Sequence, residues 1–213
     1  MNMKERLSLA YIGCIVVIFS VFFFPHMALA EGEQKGESPV LSSKPCDIPP
    51  RLEWNDSEKW VWQQICEEKV ADFNTLYGNN DPLKSVGWTK HREITSKFIE
   101  TILLHEPYRS ALSRQGVSIS GALFKDNVVL KYARLSHRLG LVNSRFDSDI
   151  DLSEIRSSSS ISLKGSVFTH DVNISNSKLN GYIDMSDVDI AGSLNSQRLK
   201  SAKCSWITPS YTK

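Results

Sequence analysis

The stretch that decides the fold begins at Val117 and repeats every eleven residues. Cut at that period, it reads VSISGALFKDN (117–127), VVLKYARLSHR (128–138), LGLVNSRFDSD (139–149), IDLSEIRSSSS (150–160), ISLKGSVFTHD (161–171), VNISNSKLNGY (172–182), IDMSDVDIAGS (183–193) and LNSQRLKS (194–201). The first, third and eighth positions of the units form three columns, in which 21 of 24 residues are apolar although the whole chain is 41% apolar. The columns are Val117, Val128, Leu139, Ile150, Ile161, Val172, Ile183, Leu194; Ile119, Leu130, Leu141, Leu152, Leu163, Ile174, Met185, Ser196; and Phe124, Leu135, Phe146, Ser157, Phe168, Leu179, Ile190, Ser201.

This spacing predicts short strands separated by turns. Apolar residues at i and i+2 lie on one face of a strand, and a third at i+7 needs a turn before it. Ser, Asn, Asp and Gly, which favour turns, fill the intervening positions, as in Lys164-Gly165-Ser166. A helix would need a period near 3.6. The pattern therefore predicts a β-solenoid over 117–200, with two units in each of about four coils. Within Ser157–Ser160, we expect a bulge or a local slip, with Ile155 pointing inward instead of Ser157.

A small residue two positions before the third column adds a family resemblance. The seven residues at this position are Ala122, Ala133, Ser144, Ile155, Ser166, Ser177 and Val188. All of them except Ile155 and Val188 are small. With the large apolar residue that follows, this pair resembles the inward-facing pair of pentapeptide-repeat proteins. The chain differs from that family in its period of eleven and in its second apolar pair. The resemblance implies a pentapeptide-repeat-like solenoid over about 117–200.

The segment before the repeat predicts a small helical domain, 54–116. Asn55 can cap a helix together with Glu58, a second helix starts near Thr95, and Pro107 opens a short third one. A solenoid needs a cap over its first coil, and a helix directly upstream can supply it. The fold class is thus α+β, a helical cap followed by a β-solenoid. The tryptophans of this part are either a stacking surface for sugar rings or a peptide, or core packing: Trp54, Trp60, Trp62 and Trp88.

The amino terminus has the order of a signal peptide. Lys4 and Arg6 precede the apolar run Leu7–Phe24, and Pro25 and Ala28-Leu29-Ala30 follow it. This order predicts cleavage after Ala30, a linker at 31–53 and a periplasmic protein. The alternative is an inner-membrane anchor formed by Leu7–Phe24, since about 20 apolar residues span a bilayer. Residues 201–213 are expected to form an irregular tail.

In an oxidising compartment, Cys46 and Cys66 are expected to form a disulfide, a pairing that does not involve Cys204. A metal site is the competing interpretation for these cysteines. It lacks a second Cys or His at ligand spacing.

The overall charge is balanced. The chain has 25 Lys+Arg and 24 Asp+Glu, and removing the leader with Lys4, Glu5 and Arg6 leaves 23 of each. This balance argues against a protein that holds nucleic acid by charge, and it limits contact with a membrane to an uncleaved leader. The expected partners are an unknown envelope protein or a second copy bound at the carboxyl end of the solenoid. Ile183, Met185 and Ile190 are expected to be poorly covered there, unless Trp206 and Ile207 fold back over them.

No catalytic motif stands out, and no cofactor or metal is expected. His105, Tyr108 and Arg109 are the candidates for a catalytic cluster, with His105 as base and Arg109 as anion clamp. They can equally form a polar link between two helices. Asp147, Asp149, Asp151 and Glu154 form the densest acidic group. The three aspartates have the opposite parity to Ile150 and Leu152, which predicts outward, solvated carboxylates rather than a calcium site.

The sequence favours a non-enzymatic interaction or structural module of the cell envelope. Bacterial proteins that this chain resembles are described as membrane-associated oxidoreductases. The alternative is therefore an envelope enzyme with a site between the helical cap and the first coil. The sequence contains no Cys-x-x-Cys or dinucleotide fingerprint that would support redox chemistry.

Overall fold

The structure is a computed structural model that describes residues 47–84 and 86–205. A region of short helices comes first, and a parallel β-solenoid of about four turns follows it. The predicted α+β architecture is therefore confirmed. Cys46, one of the two cysteines of the predicted disulfide, lies outside the described residues. The predicted leader and linker, up to position 46, also lie outside them.

Four helices form the first region within the described residues. They are α1 (Asp56–Cys66), α2 (Phe73–Tyr77), α3 (Ser96–Leu104) and α4 (Tyr108–Ala111), with a 3₁₀ turn at Lys90–Arg92. The predicted starts are confirmed: Asn55 and Glu58 form a capping box, and the Thr95 side chain accepts a hydrogen bond from the backbone of Phe98. Helix α1 ends at Cys66, because Glu68 adopts φ 57° and the chain turns into a strand.

Seventeen short strands follow one another in the described chain. They are β1 (Ala71–Asp72), β2 (Val117–Ser120), β3 (Leu123–Phe124), β4 (Val128–Val129), β5 (Arg134–Leu135), β6 (Leu139–Val142), β7 (Arg145–Phe146), β8 (Ile150–Asp151), β9 (Arg156–Ser157), β10 (Ile161–Ser162), β11 (Val167–Phe168), β12 (Val172–Asn173), β13 (Lys178–Leu179), β14 (Tyr182–Asp184), β15 (Asp189–Ile190), β16 (Leu194–Asn195) and β17 (Lys203–Ser205). They form four parallel sheets, and these sheets are the four sides of the coil. The first side is β1-β2-β6-β10-β14-β17, the second β3-β7-β11-β15, the third β4-β8-β12-β16 and the fourth β5-β9-β13.

Each coil contains 22 residues, as two eleven-residue units predict. Val117 pairs with Leu139, Leu139 with Ile161, and Ile161 with Ile183. Strands begin at Val117, Leu123, Val128, Arg134 and Leu139, so that successive sides are six, five, six and five residues long. Every eleven-residue unit is thus one six-residue side and one five-residue side.

A left-handed residue lies at the end of each six-residue side. These residues have positive φ and form two columns at 22-residue spacing. The corner after the first side has Gly121, Asn143, Gly165 and Asp187, and the corner after the third side has Tyr132, Glu154, Asn176 and Arg198. A single left-handed residue turns the chain sharply, and Gly, Asn and Asp tolerate it best.

The apolar columns fill the interior of the coil. Phe124, Phe146 and Phe168 are fully buried and stack with ring centroids 4.5 Å apart in both pairs. Hydroxyls from the small column satisfy the corner backbone: the Ser166 Oγ accepts from the Ser144 amide and donates to the Leu141 carbonyl. The serines of this column can therefore be buried, because their hydroxyls form hydrogen bonds with backbone groups of the corner.

Two expectations about the interior are wrong. Ile155 does point inward, but no slip accompanies it, because Leu135, Ser157 and Leu179 stay in register and Ser157 is buried. At the carboxyl end, Ile183 and Met185 are also buried, since β17 pairs with β14 and extends the pairing to Ser205.

The end of the solenoid is only partly covered in the described chain. Ile190 and Leu194 are half-buried, and the fold-back of Trp206 and Ile207 lies outside the described residues. Self-association through this end remains a prediction, which light scattering over a concentration series tests.

The helical region closes the other end of the solenoid with strands as well as helices. Strand β1 pairs with β2, and Glu93 forms a bridge with Leu123, so that the first coil has paired edges. Helix α3 contacts β4 and β5. Arg92 is fully buried at this junction, where it donates to the Asn74 side chain and to the carbonyls of Gly78 and Gly121. The cap therefore consists of several elements, not of the last helix alone.

Candidate functional site

A column of four cations runs up the fourth side of the solenoid. Arg134 pairs in register with Arg156, Arg156 with Lys178, and Lys178 with Lys200. Their strand neighbours Leu135 and Leu179 point inward, so the four basic side chains point outward, and all four are exposed. We call Arg134, Arg156, Lys178 and Lys200 the basic column. Parallel strands lie about 4.8 Å apart, which sets the rise from one cation to the next.

The basic column lines an open groove with a volume of about 830 Å³. The other wall of the groove is the left-handed corner, with Tyr132, Glu154, Asn176 and Arg198. Tyr132 is 64% exposed, and the Lys131 ammonium lies 4.9 Å from the centre of its ring. The groove thus presents cations along its length, an aromatic ring near the cap and a carboxylate, Glu154, in the second coil.

The balanced total charge conceals a strong separation of charge around the coil. The segments of the fourth side and its corners, 130–138, 152–160, 174–182 and 196–202, contain seven Lys or Arg and one acidic residue, Glu154. The remainder of 117–205 contains four Lys or Arg and eight Asp. We call the first group of segments the basic face. A local field of this kind attracts anions even when the whole molecule is neutral.

Ion pairing is divided in the same way. Three of the four cations on the other sides pair with carboxylates: Lys125 with Glu93, Arg145 with Asp147 and Lys164 with Asp187. Within the part of the chain that the structure describes, no cation of the basic face takes part in a salt bridge. The positive charge of this face is therefore available to a ligand.

The basic face reduces the stability of the solenoid in two ways. Like charges directly opposite each other on neighbouring strands are destabilising, and the basic column has three such steps. The left-handed backbone costs about 1–2 kcal/mol for a residue other than Gly, Asn or Asp. The opposite corner uses only those tolerant residues, whereas the groove corner has Tyr132, Glu154 and Arg198. These side chains occupy costly positions, which is typical of functional sites.

We expect Glu154→Asn to be more stable than Glu154→Gln by about 0.5–1 kcal/mol, because both remove the charge but only Asn tolerates the left-handed backbone. Urea denaturation of the two variants measures the difference in unfolding free energy. Asn176→Gln, at the same corner of the next coil, should lower the free energy of unfolding, because it replaces a residue that tolerates the left-handed backbone. Equal stability of the two Glu154 variants would show that this corner is not strained.

The structure does not bring the three candidate catalytic residues together. The Tyr108 hydroxyl donates to the Pro49 carbonyl at 3.1 Å, and its ring packs against Trp54 and Trp62 in the cap. His105 lies 3.4 Å from Glu100, and Arg109 pairs with Glu106 at 2.9 Å. Both contacts are local, the first at the end of α3 and the second at the start of α4.

The pKa values of two groups in this region, Glu100 and His137, are lowered. The Lys97 ammonium and the His105 ring lower the pKa of the Glu100 carboxyl. Burial, together with the Arg109 charge, lowers the pKa of His137 on the basic face. Arg109 also lines a smaller groove beside Arg134 and Arg156. Arg109, whose charge is paired with Glu106, therefore lies beside the basic face.

The other candidates are occupied by structural contacts. Trp54 and Trp62 are buried in the cap, whereas Trp60 is half-buried and packs on Phe73. The carboxylates of Asp147, Asp149 and Asp151 contact Arg145, the Asp171 amide and the Ser153 amide respectively. Among the described residues, no group of three or more His, Cys, Asp or Glu side chains is arranged to hold a metal ion.

The chain matches no protein-family model, and no curated protein or solved structure is significantly similar to it. In residues 47–84 and 86–205, no helix has the length and apolar character that crossing a membrane requires.

The eleven-residue period hides the basic column, because it superposes residues from two different sides of the coil. The position before the third column alternates between two sides: Leu123, Arg145, Val167 and Asp189 on one, and Arg134, Arg156, Lys178 and Lys200 on the other. Alignment at 22 residues separates the two sets and shows the four cations in a row.

Proposed function

We propose that this chain is a non-enzymatic binding module of the cell envelope that holds an extended polyanion along its basic face. The observation that carries the proposal is the basic column, four stacked cations without an acidic partner among the described residues. Export through the amino-terminal leader is part of the proposal, and its support is the order of residues from Lys4 to Ala30.

A binding role is favoured over a structural one by the energetics of this face. A solenoid that served only as a rigid spacer would gain stability from neutral or alternating charges at these positions. A bound polyanion removes the repulsion between the stacked cations, because each cation then faces an anionic group. Counterions released from the ligand add to the free energy of binding.

We further infer that the coil is an eleven-residue variant of the pentapeptide repeat. The support is the four-sided coil of short parallel strands and the buried pair of a small and a large residue, such as Ser144 and Phe146. In this interpretation, one extra left-handed residue at each of two corners lengthens the coil to 22 residues.

Binding of labelled linear polyphosphate, followed by fluorescence anisotropy over a range of salt concentrations, tests the function. The protein is produced from the full chain and isolated from the periplasm of a Gram-negative host, where its amino terminus is expected at Glu31. We expect the double variant Arg156→Gln, Lys178→Gln to bind about tenfold more weakly or worse. The slope of log affinity against log salt should fall by about 1.4–1.8, since each ionic contact contributes about 0.7–0.9.

The matched control is the double variant Lys125→Gln, Lys164→Gln, which removes two cations that pair with carboxylates on other sides. Its affinity should stay within about twofold of the unmodified protein, because these charges are distant from the groove and already neutralised. Equal losses in the two double variants would refute a specific basic face, and absence of binding by the unmodified protein would refute the function.

A further inference from the structure

We propose that the ligand of the basic face is a linear anionic polysaccharide with carboxylate groups and free hydroxyls, lying parallel to the solenoid axis. This inference rests on the proposed function and specifies its ligand. Three features of the groove carry it: the rise of the basic column, the single carboxylate Glu154 among the cations, and the exposed ring of Tyr132.

The rise of the column distinguishes between chains that carry repeated negative charge. Its cations follow one another at the strand spacing of about 4.8 Å, in a straight line of four. An extended acidic peptide presents side chains on one face every two residues, about 6.8 Å apart, and falls out of register. A linear polyuronate is not held to one such spacing, because rotation about its glycosidic bonds changes the direction of successive carboxylates, so its carboxylates can reach the cations of the column.

The aromatic content of the groove argues against a nucleic acid. Sites for single strands use several aromatic rings as stacking platforms along the strand. The residues that line this groove include one aromatic ring, Tyr132. One exposed ring beside the first cation suits the apolar face of a single sugar unit, while the cations above it hold the following units.

Glu154 supplies the most specific argument. Its half-buried carboxylate lies on the groove wall beside the basic column, and it has no side-chain hydrogen bond or salt bridge within the described residues. A carboxylate repels the anionic groups of any ligand, whether phosphate, sulfate or carboxylate, but it accepts hydrogen bonds from hydroxyls. Asn176 follows it on the same wall in the next coil, with an amide that can contact hydroxyls as well. A ligand with both carboxylates and hydroxyls satisfies the column and this wall together.

Arg134 and Arg156 fit the same ligand class. A guanidinium binds a carboxylate through two parallel hydrogen bonds, a geometry that lysine does not offer. The two arginines lie in the first two coils, at the same end of the groove as Tyr132 and Glu154, which lie on the other wall. The first half of the groove is therefore the part that selects the ligand, and Lys178 and Lys200 extend the attraction along the chain.

The test compares polygalacturonate with linear polyphosphate of equal charge, using the full-chain protein and the variant Glu154→Ala. We expect the unmodified protein to prefer polygalacturonate. We expect Glu154→Ala to weaken binding of polygalacturonate by about fivefold, through loss of a charge-assisted hydrogen bond. The same variant should strengthen binding of polyphosphate by about twofold, because a repulsive charge is removed. The opposite signs exclude a general effect on folding.

Other outcomes overturn the inference in recognisable ways. If Glu154→Ala strengthens binding of both polymers, no hydroxyl contact exists and the ligand class is wrong, while the proposed function stands. Preference for single-stranded DNA, polyglutamate or anionic phospholipid vesicles at matched charge would identify a different ligand class. If neither polygalacturonate nor polyphosphate binds, both this inference and the proposed function fail.

Discussion

Replacing Phe146 by alanine is expected to lower the free energy of unfolding by about 3–5 kcal/mol, the usual cost of removing a buried phenylalanine. Phe146 is fully buried in the second coil, and its ring lies 4.5 Å from that of Phe124 on one side and from that of Phe168 on the other. The neighbouring rings are held by the coils above and below, so they cannot move together to close the cavity. Urea denaturation followed by circular dichroism measures the loss.

Val129→Ala is the control for this substitution, because Val129 points outward from the third side and is 51% exposed. Its effect should stay within about 0.5 kcal/mol, as for other surface substitutions. If Phe146→Ala had as small an effect, the stack of rings would not be part of a close-packed interior, and the arrangement of the coils would be wrong.

Arg92→Met is expected to lower the free energy of unfolding by about 3 kcal/mol, although it removes a buried charge. The guanidinium bonds the Asn74 side chain and the carbonyls of Gly78 and Gly121, and its centre lies 5.3 Å from that of the Trp88 ring. Burial lowers the pKa of Arg92, which shows that the charged form is poorly solvated there. The substitution leaves three buried acceptors without a donor, and this costs more free energy than the removal of the poorly solvated charge gains.

Lys90→Met is the matched control in the same 3₁₀ turn, since Lys90 is exposed. Thermal unfolding gives the melting temperature of each variant. Arg92→Met should lower it, because Arg92 links the cap to the first coil, whereas Lys90→Met should leave it nearly unchanged, because Lys90 contacts solvent. Unchanged stability of Arg92→Met would mean that the hydrogen bonds of the guanidinium only balance its desolvation, and that the cap is held by apolar packing alone.

The apolar columns predicted the architecture because a solenoid repeats its interior in sequence. Val117, Ile119 and Phe124 mark three inward positions. Their counterparts in the following units are buried as far as Ile183, Met185 and Leu179 respectively, and Ser157 is the one polar residue among them. Even at Ser157 the register holds, because the strands above and below it fix the backbone. A repeat is more robust than any single residue in it, which explains why the expected slip does not occur.

The shape of the coil was harder to predict. Eleven residues do not indicate how many sides a coil has, and the left-handed corners are obvious only where Gly121 or Gly165 occupies them. Tyr132, Glu154 and Arg198 adopt the same backbone without any local signal in the sequence. The equivalent position in the neighbouring coil, Asn176, shows what a locally favourable choice would be.

The candidate site could not be predicted from composition, because net charge sums over surfaces that never meet a ligand together. Eight aspartates on the other sides offset the cations of the basic face, and the total is close to zero. Arg134 and Lys200 are 66 residues apart in sequence but only three coils apart in the fold. The charge argument against electrostatic binding therefore applied to the chain as a whole, not to one side of the coil.

Amine labelling read by mass spectrometry tests the central claim, the location of the ligand, most directly. The protein is treated with an amine-reactive acetylating reagent, with and without saturating polygalacturonate, and acetylation is measured at each lysine. We expect the ligand to protect Lys178 and Lys200 in the groove and to leave Lys125 and Lys164 on the other sides unchanged. Protection of Lys125 and Lys164 instead, or unchanged labelling of Lys178 and Lys200 while the polymer is bound, would contradict a binding site on the basic face.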